Sequence, residues 1–124
     1  MISSASESDI SDLVLDLRRN LDVSQEGLAR LLSISSRSVS RWEVGKGRPD
    51  KQIEERLHRL QKVVHELSLH LPKKLMVRWL SDRYGELRES SPVELLVNDF
   101  GAEAVELFVQ KTFPSAASAR SMTA

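Results

Sequence analysis

The apolar residues Ile53, Leu57, Leu60, Val64, Leu67 and Leu71 stand at alternating intervals of four and three. That spacing places all six on one stripe of an α-helix; a strand would repeat its apolar face every second residue. A helix from Asp50 to Leu71 therefore carries an apolar seam about three heptads long, and Pro72 ends it. Such a seam has to be covered, either by other helices of its own chain or by a second copy. Both remain open from the spacing alone.

Helical spacing governs the rest of the chain as well. Leu13, Leu17 and Leu21 recur every four residues with Val14 beside them, which gives a first helix from Ser11 to Leu21. Ser24 precedes Leu28, Leu31 and Leu32, and Ser35 precedes Val39 and Trp42, so each serine is placed to cap a short helix. Between these two helices lies Leu32-Ser33-Ile34-Ser35, and Gly45, Gly47 and Pro49 close the second of them. Beyond Pro72, Lys73 to Asp82 forms a helix around Leu75, Met76, Trp79 and Leu80, and Tyr84-Gly85 opens a loop. Ser91-Pro92-Val93-Glu94 then combines an N-cap, a proline at the first helical position and a glutamate three residues on. Gly101 breaks that helix, and a last one runs from Ala102 to about Thr112 with Val105, Phe108 and Val109 on its inner face. No alternating strand pattern occurs. Residues 1–10, rich in serine and acid, and residues 114–124, rich in small side chains, are expected to be a disordered arm and tail.

Several chemistries drop out early. Cysteine is absent, which removes disulfides, thiolate metal sites and cysteine nucleophiles together. No apolar run exceeds three residues, so neither a membrane span nor the core of a signal peptide is expected, and the protein should be cytoplasmic. His65-Glu66 and His70 come nearest to a zinc helix, but histidines five apart sit ~140° apart around the axis and cannot share one metal as neighbours four apart do. Gly45-Lys46-Gly47 lacks the glycine, lysine and hydroxyl spacing of a phosphate loop. No serine sits in a recognisable nucleophile motif. The expectation is a protein that is not an enzyme and needs neither metal nor cofactor.

Charge points to a partner instead. The whole chain is neutral, yet residues 17–62 carry eleven Lys or Arg against six Asp or Glu, whereas residues 1–16 carry four acids and no base. A basic surplus of that kind suits a solvated helix surface or a polyphosphate partner. The third helix decides between them. Ser36, Arg37, Ser40 and Arg41 cluster on one side of it while Val39 and Trp42 point nearly opposite. Two arginines and two small hydroxyl residues on a helix anchored from behind by an aromatic suit a major groove about 12 Å wide.

These residues carry a resemblance. The run SQEGLARLL, a turn, then SSRSVSRWEVGKGRP is similar to the helix-turn-helix of lambda-repressor and Cro-type regulators, the Xre family, over residues 11–49. The resemblance implies that Gln25 binds a phosphate, that Ser36, Arg37 and Arg41 face base edges, and that Lys46 and Arg48 flank the DNA backbone. It also implies that Arg18 and Glu43 form a structural ion pair. Two positions depart from the pattern: Ser33 stands where the turn often has glycine, and Gly27 where the preceding helix usually has glutamate. In the second half, Trp79-Leu80, Leu87, SPVELL at 91–96 and Gly101-Ala102-Glu103 with Val105 resemble the toxin-binding domain of Xre/MbcA/ParS-type antitoxins.

The resulting expectation is an all-α protein of five to seven helices. An N-terminal helix-turn-helix domain (11–49) is joined by a long connecting helix (50–71) to a small C-terminal helical domain (72–113) for dimerisation or partner binding. Its expected role is that of a sequence-specific DNA-binding regulator, the antitoxin and autorepressor of a toxin–antitoxin pair with a RES-type toxin; the alternative is a dimeric regulator with no toxin. Partner contacts are assigned to Val64, Leu67, Leu71, Trp79, Leu95 and Phe108, and the target is a pseudo-palindromic duplex spanned by a homodimer. A third reading, an adaptor that no longer touches DNA, requires Arg37 and Arg41 to be paired with acids such as those at 7, 9, 12 and 16. From the basic segment, affinity for any duplex should fall steeply with salt, in proportion to the phosphates neutralised. A titration of binding from low to physiological ionic strength checks this, and a flat response would contradict it.

Overall fold

In the computed structural model, residues 5–98 and 101–113 are described. They form seven α-helices and one short 3-10 turn: α1 Ala5–Leu21, α2 Gln25–Leu32, α3 Ser36–Glu43, α4 Lys51–Ser68, α5 Lys73–Ser81, the 3-10 turn Gly85–Leu87, α6 Pro92–Val97 and α7 Ala102–Thr112. Among the described residues there is no strand, only an isolated antiparallel bridge between Tyr84 and Ser90. No helix among the described residues is long and apolar enough to cross a membrane.

Side-chain caps start the helices where the sequence places them. Ser24 Oγ accepts from the Gly27 amide, Ser35 Oγ from that of Ser38 and an Asp50 carboxylate oxygen from that of Ile53, at 2.9–3.1 Å. At α6 the cap is reciprocal. Ser91 Oγ accepts from the Glu94 amide at 3.2 Å, and Glu94 Oε1 accepts from the Ser91 amide at 2.8 Å. Those bonds, with Arg83 adding to them, hold the Glu94 carboxyl below its ordinary range.

Helix α1 begins earlier than the composition suggests. Residues 5–10 belong to α1, and Ile10 is buried in the core, so the contact that this helix makes with the rest of the chain outweighs a Ser- and acid-rich composition. Residues 1–4 and the expected tail, 114–124, lie outside the described residues.

Both turns of the motif use the same device. At the end of α2 the amide of Ser33 donates to the Arg30 carbonyl and that of Ile34 to the Ala29 carbonyl, with Ser33 in the left-handed conformation at φ 58°. At the end of α3, Gly45 (φ 77°) donates to Trp42 and Lys46 to Arg41 in the same pattern. Ser33 thus pays a steric cost that Gly45 escapes.

One hydrophobic core runs through the whole described chain. Leu57, Leu60, Val64 and Leu67 of the α4 seam are at most 1% exposed. Helix α4 packs against α1 on one side and against α5, α6 and α7 on another, and α5 and α6 also touch α1 and α2. The seam is therefore closed within its own chain. Val64 and Leu67, expected at an interface between copies, belong instead to this core, and a charge at 67 would break the fold before it parted two copies. Leu71 is half-buried against the same core. At Gly101 the chain turns between α6 and α7 with the backbone pressed on Leu95: a Cβ there would lie 2.6 Å from the Leu95 carbonyl oxygen. Only glycine fits.

Ser33→Gly should relieve the left-handed strain and raise stability by about 0.5–1 kcal/mol. Urea denaturation with an unchanged slope and a higher midpoint is the expected outcome; a lower midpoint would show that Ser33 is not strained.

Candidate nucleic-acid interface

Helix α3 is held from behind. Val39 is fully buried and Trp42 is 9% exposed, while Ser36, Arg37 and Arg41 on the other side are exposed and Ser40 is half-buried. Neither the Arg37 nor the Arg41 guanidinium forms an ion pair or hydrogen bond with another described residue. Asp16, one of the acids that an intramolecular pairing would need, instead accepts from Gln61 at 3.2 Å. Arg41 leans over the turn that follows α3, where a Cβ on Gly47 would come within 3.5 Å of its Nη2. The two cations thus stand unneutralised by described residues on a helix whose orientation is fixed.

That orientation depends on Glu43, the last residue of α3. Its carboxylate receives Arg18 Nη1 of α1 on both oxygens, at 2.8 and 3.0 Å, and the Gln25 side-chain amide of α2 at 2.9 Å. The Ser11 hydroxyl donates to the Glu43 backbone carbonyl at 2.6 Å, and Arg18 Nε reaches the Val23 carbonyl at 3.1 Å. One carboxylate therefore ties three helices behind the arginine-bearing face of α3. The Glu43 side chain is 9% exposed and that of Arg18 30%, so water screens the pair only in part.

Two residues expected on the phosphates are engaged otherwise. Gln25, read as a phosphate ligand, points its amide nitrogen at Glu43 and is half-buried. Arg48 pairs with Glu54 of α4 at 2.9 Å, which ties the loop after α3 to the first turn of the next helix. Lys46 is exposed. The wider role of Glu43 was not visible in the sequence, because Ser11, Gln25 and Glu43 carry no shared spacing and meet only when three helices converge.

The C-terminal half gathers aromatic side chains from distant positions. Trp79 lies 5.6 Å from Phe108, 5.7 Å from Tyr84 and 6.0 Å from Phe113, centroid to centroid, and Tyr84 lies 5.0 Å from Phe108. The exposed ring of His70 stacks on Phe113 at 5.0 Å. The Tyr84 hydroxyl donates to the Trp79 carbonyl, and burial, then the charge of Asp82, push its pKa up. Trp79 and Phe108, both expected at a partner surface, are thus neighbours, with Trp79 half-buried and Phe108 nearly covered. Leu95 is half-buried against the shared core. Tyr84, His70 and Phe113 were missed, since a loop residue and two helix-end residues fall outside any periodic pattern.

With this geometry in view, the comparisons with known proteins are direct. Residues 14–60 match the helix-turn-helix family model (HTH_3). A chain in the crystal structure of the M. tuberculosis MbcT-MbcA toxin–antitoxin complex has a similar fold, with a TM-score of 0.67 and 21% identity over 85% of this chain and 96% of that one. No curated protein matches this chain in sequence.

Glu43→Ala should cost about 2 kcal/mol, between the ~1 of an exposed pair and the ~3–5 of a fully buried one, because it leaves Arg18 and Gln25 unpartnered behind α3. Glu43→Gln, which retains an acceptor, should cost less. Thermal unfolding of the two variants checks the order, and equal, negligible losses would remove Glu43 from the clamp.

Proposed function

We propose that this chain is a sequence-specific transcriptional regulator that reads double-stranded DNA through α3 and serves as the antitoxin and autorepressor of a toxin–antitoxin pair in the cytoplasm. The observation that carries the DNA part is the pair of arginines, Arg37 and Arg41, left unneutralised by the described residues on a helix clamped by Glu43 and anchored by Trp42. An adaptor that had lost its DNA would have no need to keep both guanidinium groups free of described partners; Asp16 is bonded to Gln61 instead, and the side chains of Glu7 and Asp9 lie outside the described residues. Arg37 and Arg41 supply base contacts, Ser36 and Ser40 allow close approach, and Lys46 meets the backbone. Gln25 and Arg48 are proposed as phosphate contacts that exchange their present partners for DNA.

The antitoxin part is supported by the likeness of fold to a chain of the MbcT-MbcA complex, together with the aromatic cluster around Trp79 and Phe108. The proposed toxin is of the RES type. A single recognition helix covers only a few base pairs, so the regulator is proposed to act as a two-fold dimer on a pseudo-palindromic operator. The contact between copies has to come from surface outside the α4 seam.

Arg41→Ala should cost ~1–3 kcal/mol on the operator and relax base preference, whereas Lys46→Ala should weaken operator and random duplex alike. Equal losses from Arg41→Ala on both duplexes would take Arg41 out of the readout. For the antitoxin role, the tagged chain co-expressed with the untagged product of the neighbouring gene should retain it through purification. A neighbour that is neither bound nor toxic when expressed alone would leave the dimeric regulator without a toxin as the reading.

A further inference from the structure

The face of α3 that carries the arginines also carries an apolar side chain. Val44, the C-cap of α3, is 67% exposed, and its backbone (φ −98°, ψ 13°) stays close enough to helical for the periodicity to run through it. At ~100° per residue it stands ~20° from Arg37 and ~60° from Arg41 around the axis, but ~140° from the buried anchor Val39. The other large apolar side chains that are exposed among the described residues, Leu69, Leu75 and Leu107, all lie beyond the helix-turn-helix. Just beyond Val44 the chain turns away at Gly45, where a Cβ would meet nothing within 4 Å. The end of α3 is therefore open to a close neighbour.

We infer that Val44 is a specificity-determining residue that reads a thymine through its C5 methyl group. The inference rests on the DNA-binding reading above and adds a base identity to it. A valine offers no donor and no acceptor, so against a phosphate or a polar base edge it would take water away and return no hydrogen bond. Among the groups that distinguish base pairs in the major groove, the thymine methyl is the apolar one, and the rest are donors and acceptors. That methyl is the group with which a valine on this face loses water on both sides. Arg37 and Arg41 read polar edges, and Val44 supplies the apolar contact at the C-terminal end of the same helix.

The test uses the full chain and duplexes that it selects from a random pool. Each thymine of the selected consensus is replaced in turn by deoxyuridine, which removes the methyl and keeps the pairing. At one thymine position the wild-type protein should lose about fourfold in affinity, the worth of one methyl-sized group removed from water. Val44→Ala should bind the thymine duplex about as weakly as the wild type binds the uracil duplex, with no further loss on uracil. Val44→Thr, which keeps a methyl on a side chain of the same shape, should retain at least part of the thymine dependence. The inference is overturned if the selected consensus holds no thymine, or if every replacement costs Val44→Ala what it costs the wild type. Enrichment of no sequence at all would overturn the DNA-binding reading, and this one with it; an enriched site without the Val44 coupling overturns this one alone.

Discussion

The burial of one stripe of α4 is the constraint on which the other helices depend. Leu57, Leu60, Val64 and Leu67 are inaccessible to water, and the same helix is walled by α1 toward the N-terminus and by α5, α6 and α7 toward the C-terminus. Four large side chains at ~1.5–3 kcal/mol each contribute about 6–12 kcal/mol, as much as the whole net stability of an ordinary domain. Because both halves draw on the same stripe, neither has a complete core without it. The helix-turn-helix and the C-terminal helices are thus held in a fixed relation by shared packing and not by a flexible joint.

On that base, polar contacts decide orientation. Helix α3 has only eight residues and buries two side chains, Val39 and Trp42, against α1 and α2. The Glu43 carboxylate adds to that packing by receiving Arg18 from α1 and Gln25 from α2, so the end of α3 is tied to both neighbours. Hydrogen bonds of this kind are directional where apolar burial is not. Val39 and Trp42 keep α3 in place, and Glu43 keeps Arg37, Ser40 and Arg41 turned outward.

The C-terminal half solves a different problem with a glycine. Helix α6 has six residues, and α7 has to fold back on it for Phe108 to reach Trp79. The turn brings the Gly101 backbone against Leu95 so closely that any side chain at 101 would collide with a carbonyl oxygen. The aromatic cluster follows from that reversal, with Trp79 from α5, Tyr84 from the loop and Phe108 and Phe113 from α7 and its end. It is partly open to solvent, in contrast to the closed α4 seam.

Much of this was legible in the order of residues. The periodic leucines located the helices, and Ser24, Ser35 and Ser91 marked three starts, because caps and amphipathic faces are local properties of a few consecutive residues. The reading face of α3 was equally local, since its arginines and anchors lie within one helix of eight residues. The length of α1 was not, because residues 5–10 become helix only when Ile10 finds a core to enter. Nor was the destination of the α4 seam: a stripe of leucines shows that a helix needs a cover, and says nothing of whether its own chain or another supplies it. The Glu43 clamp and the aromatic cluster join residues from 5 to 34 positions apart, and no spacing encodes such meetings. Local composition determined which helices form and which side of α3 is polar, because those depend on neighbours in sequence. Tertiary structure alone decided what each face packs against, because that depends on neighbours in space.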